Sequence, residues 1–271
     1  QGTLSCMVGT EDVTLGGTAT VNFRNAGNTA NDKNAGLNKP VLVTGLTLSD
    51  KTVGSSTYKA SNYTLGSGGS LTTTASILPK PVTISGITVT ARDYDGTTDV
   101  QSGALVIPAV VGVLAGDASN VTLAPVGTYD NKNAGTNKTV TLDWTGAQAI
   151  GGSAKSNYTF TTQPSVLATI NPKTLSIGAP SVAAKTYDGT DLATVTLGTV
   201  SGLVTRTVFG ASVTEGLDVS AVATYDDKNA GTGRTVTVAY TLKDGANGGL
   251  AGNYKLANST VTNRTISKAT L

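Results

Sequence analysis

Residues 234 to 242 read RTVTVAYTL, and their apolar side chains fall on every second position. A strand places alternate residues on opposite faces, so Val236, Val238, Tyr240 and Leu242 share one face and Thr235, Thr237 and Thr241 the other. The stretch KTVTLDW repeats the pattern, with Val140, Leu142 and Trp144 inward and Thr139, Thr141 and Asp143 outward. One face is predicted to be core and the other wet and coated with threonine. The stretch KPVLVTG has Gly45 where the others place Trp144 and Tyr240, which predicts a smaller core there or a bulge. No long window has apolar residues at helical spacing, and abundant threonine and glycine would weaken any helix. The predicted class is all-β.

These stretches are copies of one another. NDKNAG at 31 to 36 returns as DNKNAG at 130 to 135 and DDKNAG at 226 to 231. An Asn-Tyr pair follows each time: Asn62 and Tyr63, Asn157 and Tyr158, Asn253 and Tyr254. A closing phrase comes next, as SILPKPVTI, TINPKTLSI and finally TISKATL. A period of about 95 residues is too long for one solenoid coil and suits a stand-alone sandwich of about seven strands. The 271 residues thus divide into copies at 1–80, 81–173 and 174–271. The expected architecture is tandem Ig-like β-sandwich repeats forming an elongated rod, because the linkers are short and carry proline or lysine. A β-grasp-like repeat with one short helix is the alternative of the same size.

A Tyr-Asp-Gly phrase marks the second and third copies, as Tyr94, Asp95 and Gly96 and as Tyr187, Asp188 and Gly189. The first copy has none, and alignment of Cys6 with Gly112 and Gly202 puts the phrase before residue 1. The first copy is therefore expected to lack its opening strand, and the chain is expected to be a piece cut from a longer array.

Catalytic chemistry has little to stand on. There is no histidine, which removes histidine-dependent triads and metal sites, and no pair of acidic residues recurs in an apolar setting. Cys6 is the single cysteine and has no partner for an internal disulfide. Asp93, Asp95 and Asp99 alternate along one loop and are calcium candidates, but glycine stands fourth rather than sixth and Ala104 stands where a bidentate glutamate belongs. In the third copy Thr186 replaces Asp93 and the last aspartate moves to Asp191. The phrase is better read as a turn whose aspartate caps backbone amides and whose glycine takes a positive φ. No cofactor is expected, and the chain is not expected to be an enzyme.

Tyr63, Tyr158 and Tyr254 are expected to bury their rings and return their hydroxyls to the backbone, as tyrosines do at sandwich corners. A sharper alternative pairs Lys33, Lys132 and Lys228 with Asn62, Asn157 and Asn253 as intramolecular isopeptide bonds, with Asp95 and Asp188 as activating acids. Asn62, Asn120, Asn137, Asn157, Asn258 and Asn263 begin Asn-x-Ser/Thr sequons, a number that this composition produces by chance. A net charge of +2 with scattered lysine and arginine leaves no footprint for nucleic acid, and no apolar run is long enough to span a bilayer.

In fixed order the chain carries YDGTT or YDGTD, DVTL or NVTL, DKNAGT, NYTL or NYTF, and TINPK. This combination resembles the YDG repeat domain, which occurs in tandem in very large secreted bacterial adhesins similar to filamentous haemagglutinin. The resemblance implies an extracellular or bacterial cell-surface location and a part in adhesion or biofilm, within an extended fibre. It carries over no catalytic residue. The expected role is a structural stalk, a monomer whose partners are the neighbouring repeats of its own chain. The competing expectation is that the repeats themselves bind host or matrix glycan or protein.

Overall fold

The computed structural model describes residues 4–271. The fold is all-β, with 49% of residues in strands and 8% in helices, which are short 3-10 turns. Among the described residues no helix is long and apolar enough to cross a membrane. The chain forms two compact units: one of residues up to Ile84, Val110–Ala124 and Ile150–Thr162, the other of Ser85–Ala109, Pro125–Ala149 and Gln163–Leu271. The second sequence copy thus contributes segments to both.

In the first unit an antiparallel sheet runs in the order Thr20–Phe23, Gly36–Thr44, Leu71–Ile77. Strands Lys80–Thr83 and Tyr158–Thr161 pair in parallel, and Val82, Ala154 and Tyr158 form a core with Val110, Val113, Val121 and Phe160 around them.

The second unit has two larger sheets. One runs Arg92–Asp93, Ser165–Asn171, Gly135–Asp143, Val126–Tyr129; the other runs Lys185–Thr186, Ser259–Ser267, Gly231–Asp244, Leu217–Tyr225, Leu192–Ala193. A third sheet pairs Lys173–Ile177 in parallel with Tyr254–Leu256. The period-two pattern sets the faces. Val236, Val238 and Val140 are fully buried and Leu142 nearly so, while Thr141, Thr237 and Thr241 are exposed. Trp144, Tyr240 and Leu242, toward the strand ends, are only half-buried. Val182, Ala223, Tyr225 and Ile266 complete the core around Val236 and Val238.

One bulge recurs in all three central strands. Pairing shifts between Gly36 and Lys39, between Gly135 and Lys138, and between Gly231 and Arg234. A residue just before each cation takes a left-handed backbone: Asn38, Asn137 and Gly233. The extra residue turns the following cation back over the loop of the DKNAG phrase. Lys39 pairs with Asp32, Lys138 with Asp130 at 3.0 Å, and Arg234 with Asp227 at 2.7 Å. Each cation thereby holds its loop in one conformation.

Candidate functional site

The loops so held make the contacts between consecutive copies. In the second unit Asn253 is buried and accepts a hydrogen bond from the Ala134 N–H at 2.8 Å, while its amide donates to Asn133 Oδ1 at 3.1 Å. In the first unit Asn157 does the same, accepting from the Ala35 N–H at 2.8 Å and donating to Asn34 Oδ1 at 3.0 Å. An asparagine suits this place because its carboxamide can accept and donate at once. The Asn-Tyr pair of one copy is thus read by the Lys-Asn-Ala-Gly loop of the copy before it.

The adjacent tyrosine completes the contact. Tyr254 accepts from the Val204 N–H at 3.1 Å and donates to Glu215 Oε2 at 2.7 Å. Tyr158 accepts from the Leu114 N–H at 3.1 Å and donates to Asp117 Oδ2 at 2.8 Å. Tyr63 accepts from the Val8 N–H at 3.2 Å and donates to Glu11 Oε2 at 2.5 Å. Each hydroxyl returns to the backbone, though far upstream in sequence rather than at a local corner. Each also binds a carboxylate that the repeat markers do not include.

These carboxylates share one backbone setting. The amides of Glu11, Asp117 and Glu215 donate to the carbonyls of Val8, Leu114 and Val204, the same residues whose N–H groups bind the tyrosines. In the first two copies the acid stands three residues after that apolar residue. In the third copy a hairpin of Thr205–Val208 and Ala211–Thr214 is inserted between them, and its strand pairing closes the gap. The acid therefore changes type and spacing along the sequence while keeping its place in the fold. The constant spacing in the first two copies is the signal that points to it.

In the second unit the joint has its full set of partners. Lys132 Nζ lies 3.0 Å from Glu215 Oε1, and Tyr94 donates to the same oxygen at 2.8 Å. The rings of Tyr94 and Tyr254 meet edge to face at 5.4 Å, with Lys132 5.9 Å from the centre of the Tyr94 ring. Glu215 is fully buried, which alone costs free energy, and three donors offset that cost. Gly96 lets the Tyr94 loop approach. Its φ is +82°, and a Cβ there would lie 2.8 Å from Val204 Cγ1.

The turn itself is built alike in both Tyr-Asp-Gly phrases. Asp95 Oδ1 accepts from the Thr97 N–H and hydroxyl, each at 2.9 Å, and from Arg92 at 2.5 Å; Gln101 donates to Oδ2 at 3.0 Å. Asp188 Oδ1 accepts from the Thr190 N–H at 2.9 Å and its hydroxyl at 2.8 Å, and Lys185 donates to Oδ2 at 2.7 Å. Gly189 has φ +81°. Both oxygens of Asp95 are therefore engaged by protein donors, and Asp99 forms a backbone bridge to Thr128. Among the described residues no three metal-ligating side chains converge.

Lys33, the counterpart of Lys132, approaches Asp117 at 3.9 Å. Lys228, Asn62 and Tyr187 are exposed, as is Cys6. The lysines and asparagines considered for isopeptide bonds have other neighbours in the structure: Lys33 and Lys132 face carboxylates, and Asn157 and Asn253 face backbone amides.

The charges at the complete joint set a pH dependence. Burial pushes the Glu215 carboxyl up, but hydrogen bonds from Tyr254 and Tyr94 and the Lys132 ammonium outweigh it and hold the group below the usual 4.5. Burial and Glu215 raise both tyrosines, which stay protonated and keep donating. Asp188 is lowered to about 2, chiefly by Lys185 and then by Thr190. A carboxyl whose pKa is depressed on folding adds stability that is complete above its unfolded pKa and is lost as pH falls through the folded one. The urea midpoint of the chain is therefore expected to drop as pH falls below about 5, through the depressed pKa of Glu215 and on down to that of Asp188 at about 2. Glu215→Gln should flatten that drop, and an unchanged profile in the variant would show that Glu215 does not titrate in this way.

Fold and joint together define a class: an all-β repeat protein whose successive copies share a buried hydrogen-bonded contact. The YDG domain matches residues 78–165 and 171–262, more than half of the chain, and the chain belongs to the YDG domain family. Comparison with curated proteins gave no match, and comparison with solved structures gave none.

Proposed function

We propose that the chain is a stretch of structural stalk from a bacterial surface or secreted adhesin, holding a binding region away from the cell in adhesion or biofilm formation. On this reading the copies are Ig-like sandwiches stacked into an elongated rod. The chain performs no catalysis, and the partners of each copy are its neighbours in the same chain. One observation carries the reading: residues of consecutive copies share a buried contact, Tyr94 and Lys132 of the second copy meeting Glu215, Asn253 and Tyr254 of the third. A buried polar contact of this kind restricts bending between copies where a glycine-rich tether would not. A stalk needs that stiffness, and its length grows by duplication.

Small-angle scattering of the chain in solution tests the proposal. A rod should give a radius of gyration well above the about 19 Å of a compact globule of this length. A value near that of the globule would overturn it. Saturable binding of the chain to a glycan array or to host matrix proteins would instead place adhesion in the repeats themselves.

A further inference from the structure

One sheet edge of the third copy is open for most of its length. Strand Leu217–Tyr225 pairs along all nine residues with Gly231–Asp244, but on its other side only Thr224 and Ala223 have strand partners, Leu192 and Ala193. The Tyr225 N–H donates to the Asp191 carbonyl on that other side, so alternation also points the backbone N–H and C=O groups of Ala221, Val219 and Leu217 outward. Among the described residues no strand takes them up. The opening does not depend on the ends of the chain: in the second copy, which has a copy before and after it, the matching strand Thr122–Leu123 pairs only with Ile150–Gly151.

Only the third copy makes this edge long. The first two copies break the strand, into Thr14–Gly16 and Thr20–Phe23 and into Thr122–Leu123 and Val126–Tyr129. Gly17, with φ +97°, stands in the first break and Pro125 in the second. Short strands and proline are the usual guards of an exposed edge, because they leave a partner little straight backbone and few donors to pair with. Residues 217 to 222 read LDVSAV, with neither proline nor lysine. Leu217, Val219 and Ala221 are half-buried on the inner face, while Asp218, Ser220 and Val222 are exposed on the other.

We infer that this edge pairs with the same edge of a second molecule of the chain, antiparallel and about a two-fold axis at Val219. Leu217 then stands opposite Ala221, Val219 opposite Val219 and Ala221 opposite Leu217, and their outward groups form about six hydrogen bonds. The inner faces meet apolar on apolar. On the exposed face Asp218 of each molecule stands opposite Ser220 of the other, whose hydroxyl donates to its carboxylate, and the two carboxylates do not face one another. An axis at Ser220 would instead set Asp218 against Val222 and bring Leu217 onto Ala223, which Ala193 already holds. The strand thus matches itself, and that selects a second molecule of the chain as its occupant. The inference rests on the sheet edge alone and does not depend on the stalk reading.

Sedimentation equilibrium of the whole chain, from about 1 μM to about 1 mM, tests the pairing. A monomer–dimer equilibrium is expected, with Kd between about 10 μM and about 300 μM for one short edge. Ser220→Asp should weaken the dimer about fivefold by facing Asp218 with a like charge, and Ser220→Lys should tighten it about twofold by facing it with an opposite one. Both changes fall on an exposed side chain and leave the strand's pairing with Gly231–Asp244 in place. Ala221→Pro removes one outward donor and should abolish the dimer. A chain that stays monomeric up to about 1 mM would overturn the inference, and so would a dimer that Ser220→Asp and Ser220→Lys affect alike.

Discussion

Replacement of Glu215 by alanine is expected to destabilise the second unit by about 3–5 kcal/mol, the usual cost of removing one member of a buried charged network. The size follows from what is left behind. Tyr94 and Tyr254 would each keep a hydroxyl with no acceptor, and Lys132 would lose its counterion, all around a new void. Glu215→Gln should cost less, because a carboxamide oxygen still accepts from one tyrosine while the charge pairing with Lys132 is lost. Urea denaturation followed by the fluorescence of Trp144, which lies in the same unit, reads both variants. Equal stability of Glu215→Ala and the parent chain would mean that the carboxylate is not bound as described.

Tyr94→Ala should cost nearly as much, about 3–5 kcal/mol, for a different reason. The ring is 1% exposed and packs edge to face on Tyr254, so truncation opens a cavity as well as removing the bond to Glu215. Tyr94→Phe separates the two parts. It keeps the ring and removes only the hydroxyl, and a hydrogen bond to a charged group is worth about 1.5–3 kcal/mol. If Tyr94→Phe cost as much as Tyr94→Ala in the same urea measurement, the ring packing would contribute nothing and the joint would be held by charge alone.

Much of this is legible in the amino-acid sequence, because strand faces follow a rule of period two. Val140, Val236 and Val238 stand on the buried face that alternation assigns them, and outward threonines such as Thr141, Thr237 and Thr241 are exposed. The all-β class follows from the same pattern. The components of the joint are legible as repeated markers, Tyr94, Lys132, Asn253 and Tyr254 among them. Their meeting is not. Alignment sets each copy against itself, whereas the contact joins the Lys-Asn-Ala-Gly loop of one copy to the Asn-Tyr pair of the next.

The carboxylates are hidden for a second reason. Glu11, Asp117 and Glu215 differ in type, and the hairpin before Glu215 shifts its spacing, so no fixed motif marks them. The buried Lys39 and Lys138 and the half-buried Arg234 are hidden by the bulge, which places a charged residue on the inner side of a strand where alternation leads one to expect an apolar one. What was expected of Gly45, a smaller core or a bulge, appears as a tight backbone approach: a Cβ there would meet the Thr18 carbonyl at 2.5 Å.

The central claim is that consecutive copies are coupled through one shared carboxylate, and a double-mutant cycle tests it most directly. Tyr94→Phe and Glu215→Gln, alone and together, are compared by urea denaturation at neutral pH. The joint predicts a coupling of about 1 kcal/mol or more, because either change alone removes the same hydrogen bond. Effects that add to within about 0.5 kcal/mol would contradict it, since residues that do not touch behave in that way.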